Sequence, residues 1–453
     1  MESLFARLAL LPDGWRENVH VDLAADGTIA HVETGSMAGA DESVGMLMPG
    51  FCNVHSHAFQ RALAGRAEVA GEKDDSFWTW RSMMYRLADR LDPEDLRSIA
   101  RLLYVEMLEA GYTAVGEFHY LHHDPAGELY EEPLAMSLAL AHAAAEAGIS
   151  LAMLPVLYRY SDFGERPPEP AQRRFAMAPE QFVEMVHRLR DRLDDCVVGL
   201  AFHSLRAVDV SSMREVIDAL GRPRGYPVHI HVAEQRREVD ACMQLSGRRP
   251  AEMLLLEDLP DEHWCLIHAT HVSESELKGI AASGAIVGLC PTTEANLGDG
   301  IFPLRSFLEH EGRFAIGSDS HVSIDPFEEL RWLEYGQRLQ SGKRLRAVAG
   351  AGRHAGFELV QPAAMYGGAA LGLNAGRIES GQRANLLVLD PDPSLLDTFG
   401  HEKILDALVF APRPGPVEGV MVDGRWVLRQ GRHPLRDLAL AEYRACQERL
   451  RLD

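Results

Sequence analysis

Short apolar runs alternate with longer amphipathic stretches along most of the chain, from about residue 45 to residue 320. Eight of the runs are predicted as strands: 45–54, 113–119, 150–157, 197–202, 227–232, 264–268, 285–289 and 314–317. Stretches between them carry apolar residues at the helical period, as in 92–110, 133–147, 179–193 and 273–282. This alternation is typical of βα units around a parallel sheet, and eight units predict an α/β fold with a closed (β/α)8 barrel.

The two ends of the chain have a different pattern, with short alternating segments and turn signals instead of long helices. Residues 384–390 and 417–424 are predicted as strands that end in turns. We expect residues 1–48 and 375–453 to meet in one small composite β-sandwich domain. That domain would lie beside a TIM barrel formed by residues 49–374.

Nearly every predicted strand of the barrel ends in a side chain able to bind metal, donate a hydrogen bond or carry a proton. These residues are His55, His57, Glu117, His119, Tyr158, Arg159, His203, His229, His231, Glu234, His268, Cys290 and Asp319. Active sites of barrels are built at the C-terminal ends of the strands, so these side chains are expected to converge on one face. A doubly wound open sheet is the alternative fold, but it places ligand groups at one or two strand ends only.

Charge narrows the range of partners. The 453 residues carry a formal net charge of −22, which opposes binding to nucleic acid and to anionic membranes. Only four residues are lysine, so nearly all positive charge is arginine, the side chain suited to forked contacts with carboxylates.

The cysteines and the N-terminal residues bear on the compartment. The six cysteines are scattered without paired spacing, which favours reduced thiols, and the first residues make a poor signal peptide. Both features favour a cytoplasmic setting.

The His55-Ser56-His57 segment is the sharpest chemical signal. Residues two apart on a strand point the same way, so both imidazoles face one site, as a shared metal requires. Histidines follow strands 5 and 6, and Asp319 follows strand 8. Three nitrogens and one carboxylate, with one position open for water, are typical of a catalytic zinc site. On strand 5 the period of two leaves His229 and His231 as competing candidates.

Four motifs resemble those of the amidohydrolase superfamily, in its deaminase branch: PGFCNVHSH at 49–57, HVAE at 231–234, IH at 267–268 and GSD at 317–319. The resemblance covers essentially the whole chain and selects His231 over His229. It implies one zinc ion per chain, because no lysine lies between Lys73 and Lys278 to bridge a second metal. The ligands that it implies are His55, His57, His231 and Asp319, and the catalytic residues are Glu234, His268 and Asp319.

Three further stretches resemble the formimidoylglutamate deiminases of histidine degradation: HSHAFQR at 55–61, EFHYLHH at 117–123 and CPTTEANLGDG at 290–300. By this resemblance the substrate is a dicarboxylate, N-formimidoyl-L-glutamate, which is hydrolysed to N-formyl-L-glutamate and ammonia. The resemblance also implies a homodimer. The residues expected to hold the glutamate part are Gln60, Arg81, Tyr120, His203 and Arg206. Several arginines near a zinc site independently favour a substrate with carboxylates.

Other interpretations remain open on the sequence. A guanine-type or S-adenosylhomocysteine-type deaminase would share the metal chemistry, and a non-catalytic barrel scaffold is the alternative from a different class. The roles of Arg61, His122, His123 and His229 are not fixed by the motifs. Solvated loop positions are an equal alternative for His122 and His123, and a supporting role is expected for His229.

Overall fold

A computed structural model describes residues 2–35, 39–70, 75–221, 226–348, 350–390, 400–411 and 415–450. In chain order the strands are β1 Glu2–Leu11, β2 Gly14–Leu23, β3 Ile29–Thr34, β4 Glu42–Pro49, β5 Phe51–Ser56, β6 Tyr112–His119, β7 Ser150–Leu157, β8 Val197–Val198, β9 Leu200–Phe202, β10 Val228–Val232, β11 Trp264–His268, β12 Ile286–Leu289, β13 Arg313–Ile316, β14 Leu386–Leu389, β15 Val417–Val422 and β16 Arg425–Arg429. Most of them belong to one of two sheets described below.

The α-helices of the described residues are numbered in the same way. They are α1 Phe77–Ala88, α2 Pro93–Ala110, α3 Ala135–Ala147, α4 Pro179–Arg192, α5 Val210–Leu220, α6 Arg236–Ser246, α7 Pro250–Leu256, α8 Glu274–Ser283, α9 Pro291–Leu297, α10 Leu304–Glu309, α11 Pro326–Ser341, α12 Ala355–Ala370, α13 Ile404–Phe410 and α14 Arg436–Leu450. Local signals fix their ends. At α2, for example, the Asp92 carboxylate accepts a hydrogen bond from the Asp95 amide at 2.8 Å, and Gly111 ends the helix at a φ of 108°.

The larger sheet is the predicted barrel. Its strands follow the order β5, β6, β7, β9, β10, β11, β12, β13, and all of these neighbours are parallel. A parallel bridge between Ser56 and Asp319 links the first strand to the segment after the last one. The strands predicted at 150–157 and 264–268 match the observed ones residue for residue, so the (β/α)8 prediction is confirmed.

The strand predicted at 45–54 is wrong as a single element, because the chain changes sheets at Gly50. β4 ends at Pro49 and pairs with β1 and β14, whereas β5 starts at Phe51 and opens the barrel. A Cβ atom on Gly50 would lie 2.3 Å from the Thr113 side chain, so this crossing needs a glycine. The apolar run is continuous because both strands are buried, and hydrophobicity alone therefore carries no sign of the break.

The smaller sheet contains strands from both ends of the chain, in the order β16, β15, β14, β4, β1, β2, β3. β1 and β4 are parallel, and the remaining neighbours are antiparallel. The two ends thus meet in one sheet, as the sequence predicts, and the described strands follow a single path rather than two facing layers. Leu4, Val21 and Leu47 belong to a core cluster of this sheet that is separate from the barrel core.

The C-terminal helix α14 packs on barrel helix α2. Arg449 donates to the Asp95 carboxylate at 2.7 Å, and the Cys446 thiol contacts the carbonyl of the same residue at 3.9 Å. This helix lies within the segment assigned from sequence to the composite domain, although its contacts are with the barrel. The boundaries at residues 48 and 375 stay a prediction.

The cysteines and the helices agree with the expectations from composition. All six cysteines are free, and five of them are buried. In the part of the chain that the structure describes, no helix has both the length and the apolar character needed to cross a membrane.

Candidate active site

A compact group of histidines and one aspartate lies at the C-terminal mouth of the barrel. β5 carries His55 next to its last residue and places His57 just beyond its end, β10 supplies His231, and Asp319 follows β13. All four side chains are buried. The Nε2 atoms of His55 and His231 are 2.9 Å apart, and Asp319 Oδ1 lies 3.5 Å from His55 Nε2 and 3.4 Å from His57 Nε2.

Backbone carbonyls fix the tautomers of two of these imidazoles. His57 donates its Nδ1 proton to the Phe118 carbonyl at 2.9 Å, and His231 donates its Nδ1 proton to the His203 carbonyl at 2.9 Å. Each Nε2 atom is therefore left with its lone pair directed into the group. Burial, with the neighbouring imidazoles, holds the pKa of His55 and His231 well below the usual value, so the rings are neutral, the form that binds metal.

The donor set of this group fits a divalent transition metal. Imidazole nitrogens and a carboxylate are ligands that zinc prefers. The ligand atoms of His55, His57 and Asp319 lie within 4.8 Å of one another, and those of His55, His231 and His268 form an overlapping group. The Nε2 lone pair of His231 faces His55 Nε2 at 2.9 Å, and the buried Nδ1 atom of His55 has no hydrogen-bond partner among the described residues. Asp319 also has a left-handed backbone, with a φ of 47°, a strained conformation that is common at functional sites. The described residues thus contain a His/Asp group suited to holding a metal ion.

Glu234 and His268 lie beside this group. His268 Nε2 is 3.9 Å from Glu234 Oε1 and 3.8 Å from Asp319 Oδ2. Burial raises the pKa of Glu234 to about 7, although the nearby His268 opposes the shift. A carboxyl group with this pKa exchanges protons readily near neutral pH, which suits general acid-base chemistry.

Glu294 is a part of the site that sequence reasoning missed. Its Oε1 atom accepts hydrogen bonds from His268 Nδ1 at 3.2 Å and from the Cys290 amide at 2.9 Å. This bond directs His268 Nε2 toward Glu234 and Asp319. The stretch at 290–300 was informative only through its family resemblance. No spacing rule in the sequence joins α9, which carries Glu294, to β11, which carries His268.

Glu117 has a supporting position under the first strand. Its carboxylate accepts from the Ser56 hydroxyl at 2.6 Å, the Ala58 amide at 2.7 Å and the Tyr104 hydroxyl at 3.1 Å. These bonds hold the segment that carries His55 and His57. Glu117 therefore acts on the site through the backbone of its neighbours.

His55, His57, His231 and Asp319 are called the metal-ligating group below, because their donor atoms suit a metal. A pocket opens from this group toward the loops. All five residues predicted to bind substrate line it: Gln60, Arg81, Tyr120, His203 and Arg206. Gln60 donates to the Tyr120 hydroxyl at 3.0 Å, and Arg81 lies 3.4 Å from the Tyr158 hydroxyl. The strand-end residue Tyr158 also lines it. The sequence did not single out the rest of the apolar and aromatic wall, formed by Phe77, Trp80, Met84, Tyr85, Phe175 and Leu297.

Arg206 and Arg81 are cations without an acidic partner. Arg206 is only 6% exposed, and its Nε atom has no hydrogen-bond partner within the described ranges. Among those residues neither guanidinium group forms an ion pair within 4.0 Å, although Arg206 is near enough to Glu234 and Glu238 to lower the pKa of both carboxyl groups. Because a buried unpaired charge is costly, the pocket is suited to an anionic ligand that supplies the missing partner.

Four residues whose roles the sequence left open have structural partners outside the pocket. Arg61 pairs with Glu106 at 3.0 Å and also donates to the His321 carbonyl. The interpretation of His122 and His123 as solvated loop residues is wrong: both are buried and lie 3.0 Å and 3.3 Å from backbone carbonyls.

His229 lies inside the barrel but below the metal-ligating group. It donates from Nε2 to the Ala370 carbonyl at 2.7 Å. Ala370 belongs with Cys52, Val54 and Leu371 to an interior cluster of the barrel. His229 therefore ties the barrel interior to the end of α12, and His231 is the residue of this strand that faces the other histidines.

Two family models match the chain. Residues 46–427 match the amidohydrolase family. Residues 1–45 match a model described as "Formimidoylglutamate deiminase HutF, N-terminal domain". Together they cover both the barrel and the strands that precede it.

Individual relatives of the chain are also deaminases and amidohydrolases. A formimidoylglutamate deiminase of Pseudomonas aeruginosa is 50% identical over 436 residues, which cover 96% of each chain. A 5-methylthioadenosine/S-adenosylhomocysteine deaminase of Natronomonas pharaonis is 28% identical, over 90% of this chain and 88% of its own. The crystal structure of an amidohydrolase from Brucella melitensis has a TM-score of 0.94 and 44% identity, covering 99% of this chain and 100% of its own.

Proposed function

The chain belongs to the amidohydrolase family, and we propose that it hydrolyses N-formimidoyl-L-glutamate to N-formyl-L-glutamate and ammonia. It is a hydrolase that acts on a carbon-nitrogen bond, with a relative of that activity at 50% identity. The observation that carries the proposal is the pair of arginines without acidic partners, Arg81 and Arg206, in the pocket that also contains the metal-ligating group. They supply the contacts that a dicarboxylate needs in a chain of net charge −22.

We propose one zinc ion per chain, held by His55, His57, His231 and Asp319. When bound, such a metal lowers the pKa of water from about 16 toward about 7 and polarises the bond under attack. The chain has no lysine between Lys73 and Lys278, the region of β6 to β11 in which a carbamylated bridging residue would have to lie.

Two carboxyl groups move the protons of the reaction. Asp319 accepts a proton from the attacking water, while Glu234 donates one to the imino nitrogen of the formimidoyl group. The carbon becomes tetrahedral, and His268 Nε2, which Glu294 directs toward both carboxylates, stabilises it by hydrogen bonding. Glu234, now ionised, transfers the proton of the new hydroxyl group to the nitrogen, the carbon-nitrogen bond breaks and ammonia is released. The proton held by Asp319 then returns to Glu234. Water is consumed, and the products are the formyl compound and ammonia.

The remaining pocket residues orient the substrate. Gln60 and Tyr120 are hydrogen-bonded to each other, and the Gln60 Oε1 atom has no partner within the described residues, so it is free to accept a bond from the ligand. Arg81, His203 and Arg206 face the same space. We propose that these groups bind the glutamate part and place the formimidoyl carbon beside Glu234.

The experiment that tests the function compares ammonia release from three compounds by the zinc-loaded protein. We expect turnover of N-formimidoyl-L-glutamate and little or none of guanine and S-adenosylhomocysteine. Activity on guanine or S-adenosylhomocysteine alone would contradict the proposed substrate. Activity on none of the three would favour the scaffold alternative.

Two further features complete the proposal, a homodimer and a cytoplasmic setting. Both rest on the family resemblance and, for the setting, on the six free cysteines. Light scattering of the purified protein measures the first of them directly.

Elemental analysis should return one zinc per chain, because three imidazoles and one carboxylate form a single site. Chelation should lower the melting temperature, since a metal that binds only the folded state stabilises it. His55→Ala should bind much less zinc and lose the response to chelator. His142→Ala, which removes an exposed histidine of α3, is the matched control and should retain both. Two tightly bound metals per chain would refute the prediction.

Glu234→Gln should lower kcat by about two to four powers of ten, because the amide keeps the shape of the side chain but cannot transfer a proton. Zinc content should not change, since Glu234 is not a ligand. Asp240→Asn removes an exposed carboxylate of α6 and should have near-normal kcat. Near-normal turnover by the Glu234 variant would remove this residue from the mechanism.

Arg206→Ala should lower kcat/KM about ten- to hundredfold, because a charge-assisted hydrogen bond contributes roughly 1.5 to 3 kcal/mol. Arg206→Lys should restore only part of this, since an ammonium group cannot form the forked contact. Arg214→Ala breaks an exposed pair with Glu257 and serves as the control.

A formimidoyl compound without the glutamate carboxylates distinguishes carboxylate binding by Arg206 from a structural or catalytic role of this residue. It should be a poor substrate for the wild type and should lose little more in Arg206→Ala. Equal losses on both compounds would make Arg206 a structural or catalytic residue and remove the main physical support for a dicarboxylate.

A further inference from the structure

Asp299 is a buried acid beside the catalytic groups that the proposed mechanism does not use. It follows α9, is 4% exposed, and its Oδ1 atom accepts a hydrogen bond from the side-chain amide of Gln235. Its Oδ2 atom is buried and has no hydrogen-bond partner in the described part of the chain. An ionised carboxylate is costly in such a position, so a proton on Oδ2 is favoured.

The surroundings of Asp299 also favour this proton. The ionisable side chains that act on its carboxyl group come from four elements: Glu234 after β10, His268 at the end of β11, Glu294 on α9 and Asp319 after β13. The His271 ring contacts the Asp299 backbone carbonyl. Burial raises the pKa of Asp299 to about 9, and the nearby Glu234 carboxyl adds to the shift. Asp299 is therefore neutral in the range in which Glu234 exchanges its proton.

The segment that carries Asp299 is fixed before and after this residue. The Asp299 amide donates to the Glu294 carbonyl at 2.9 Å. Gly300 has a φ of 137°, and a Cβ atom there would lie 3.1 Å from the Thr270 side chain, so a glycine allows the segment to pack against the loop after β11. The same segment supports His268 through the carboxylate of Glu294.

The partner of Asp299 belongs to the turn that presents Glu234. Gln235 directly follows Glu234 and occupies the N-cap position of α6, but its side chain makes no cap bond to the helix and bonds to Asp299 instead. The Ala233 and Glu234 amides donate to the Glu238 carboxylate at 3.1 Å and 3.2 Å. Ala233 has a left-handed backbone with a φ of 51°, a conformation that persists only where neighbouring contacts support it. Glu238 thus holds one side of the turn, and Asp299 holds the other.

We propose that Asp299 is a positioning residue of the reaction: in its protonated form it holds Gln235, and thereby keeps the Glu234 carboxyl in the orientation from which it donates a proton to the substrate. The inference rests on the proposed function, in which Glu234 is the proton donor. Asp299 and Gln235 are not among the residues that line the substrate pocket, so their effect on the reaction passes through Glu234.

Asp299→Ala removes the bond to Gln235 and should lower kcat about 5- to 50-fold, because a small misplacement of the proton donor slows the transfer. KM should change less than about threefold, since Asp299 does not line the pocket. Asp299→Asn keeps an acceptor oxygen for Gln235 without a charge and should recover most of the lost kcat. Zinc content should equal that of the wild type in both variants. A near-normal kcat in Asp299→Ala, or a loss confined to KM, would overturn the inference.

A double-mutant cycle tests whether the bond between Asp299 and Gln235 carries the effect. Gln235→Ala removes the same bond from the other side and should lower kcat by a similar factor. The double variant should lose no more than about twofold beyond either single variant. Additive losses would show that the two residues act independently and would contradict the proposal. Gln235 is only partly buried, so its variant tests the bond even if Asp299→Ala does not fold.

The pH profile of kcat distinguishes a protonated Asp299 from an ionised one. Glu234 must be protonated to act as the donor, so kcat should fall as the pH rises through its pKa of about 7. Asp299→Asn removes no charge if the acid is protonated, and this limb should then stay where it is in the wild type. An ionised Asp299 would raise the pKa of Glu234, so its replacement would move the limb to lower pH and refute the protonated form.

Asn296→Ala is the matched control. Asn296 lies on α9 in the same segment, and its exposed side chain donates to the Glu68 carboxylate at 2.7 Å. The variant breaks a hydrogen bond of the segment without removing the contact to Gln235, and it should keep kcat within about twofold of the wild type. Equal losses in Asn296→Ala and Asp299→Ala would mean that any disturbance of the segment slows the reaction, which is incompatible with a specific role of Asp299.

The activity of the wild type separates this inference from the proposed function. An enzyme that is active on N-formimidoyl-L-glutamate and keeps its kcat in Asp299→Ala would refute the inference alone. A wild type that instead hydrolyses guanine or S-adenosylhomocysteine would refute the substrate, and the same variants would then be measured on that compound, because ammonia leaves from it too after protonation of a nitrogen. A wild type without activity on any of the three would refute both.

Discussion

The backbone contact that closes the barrel sets the geometry of the whole site. The Asp319 amide donates to the His55 carbonyl at 2.9 Å, and the His57 amide donates to the Asp319 carbonyl at 3.2 Å. These two bonds join the first strand to the segment after the last one, and both segments carry members of the metal-ligating group. Gly317 makes the approach possible, because a Cβ atom there would lie 2.9 Å from the His55 Cβ and amide nitrogen. The contacts that close the barrel sheet therefore also bring the metal-ligating residues together.

Electrostatics then divides the mouth of the barrel into two regions. Near the closure, burial holds the pKa of His55 and His231 well below the usual value and raises that of Glu234 to about 7. Against the effect of burial, the neighbouring Glu234 carboxylate raises the pKa of His268 to about 10. Toward the loops, Arg81 and Arg206 remain charged and without acidic partners among the described residues. A protein with a net charge of −22 thus presents a positive pocket to an approaching anion.

The sequence predicted the parts of the site that follow the period of a strand. His55 and His57 are two residues apart at the end of one strand, and the ends of parallel strands meet on one face, so local patterns were enough to bring them together with Asp319. For strand 5 the period of two left His229 and His231 open, and the family resemblance selected His231. Glu294 and Trp80 obey no such rule, because they lie on helices whose placement depends on tertiary packing. Gly50 shows the same limit in the fold, since a continuous buried run hides the change from one sheet to the other.

Bond chemistry and substrate choice are consequently encoded in different parts of the chain. The groups that transfer protons or suit a metal stand at strand ends, where hydrogen bonds such as those from His57 to Phe118 and from His231 to His203 hold them rigidly. The pocket cations Arg81 and Arg206 stand on α1 and in the loop after β9, where a substitution disturbs few backbone bonds. Loops and helix surfaces can therefore change the ligand that is accepted while the strand ends keep the reaction. Arg81, Tyr85 and Arg206 line both the inner pocket and the larger cavity outside it. The position of a carboxylate bound by these residues therefore affects the alignment of the reacting carbon.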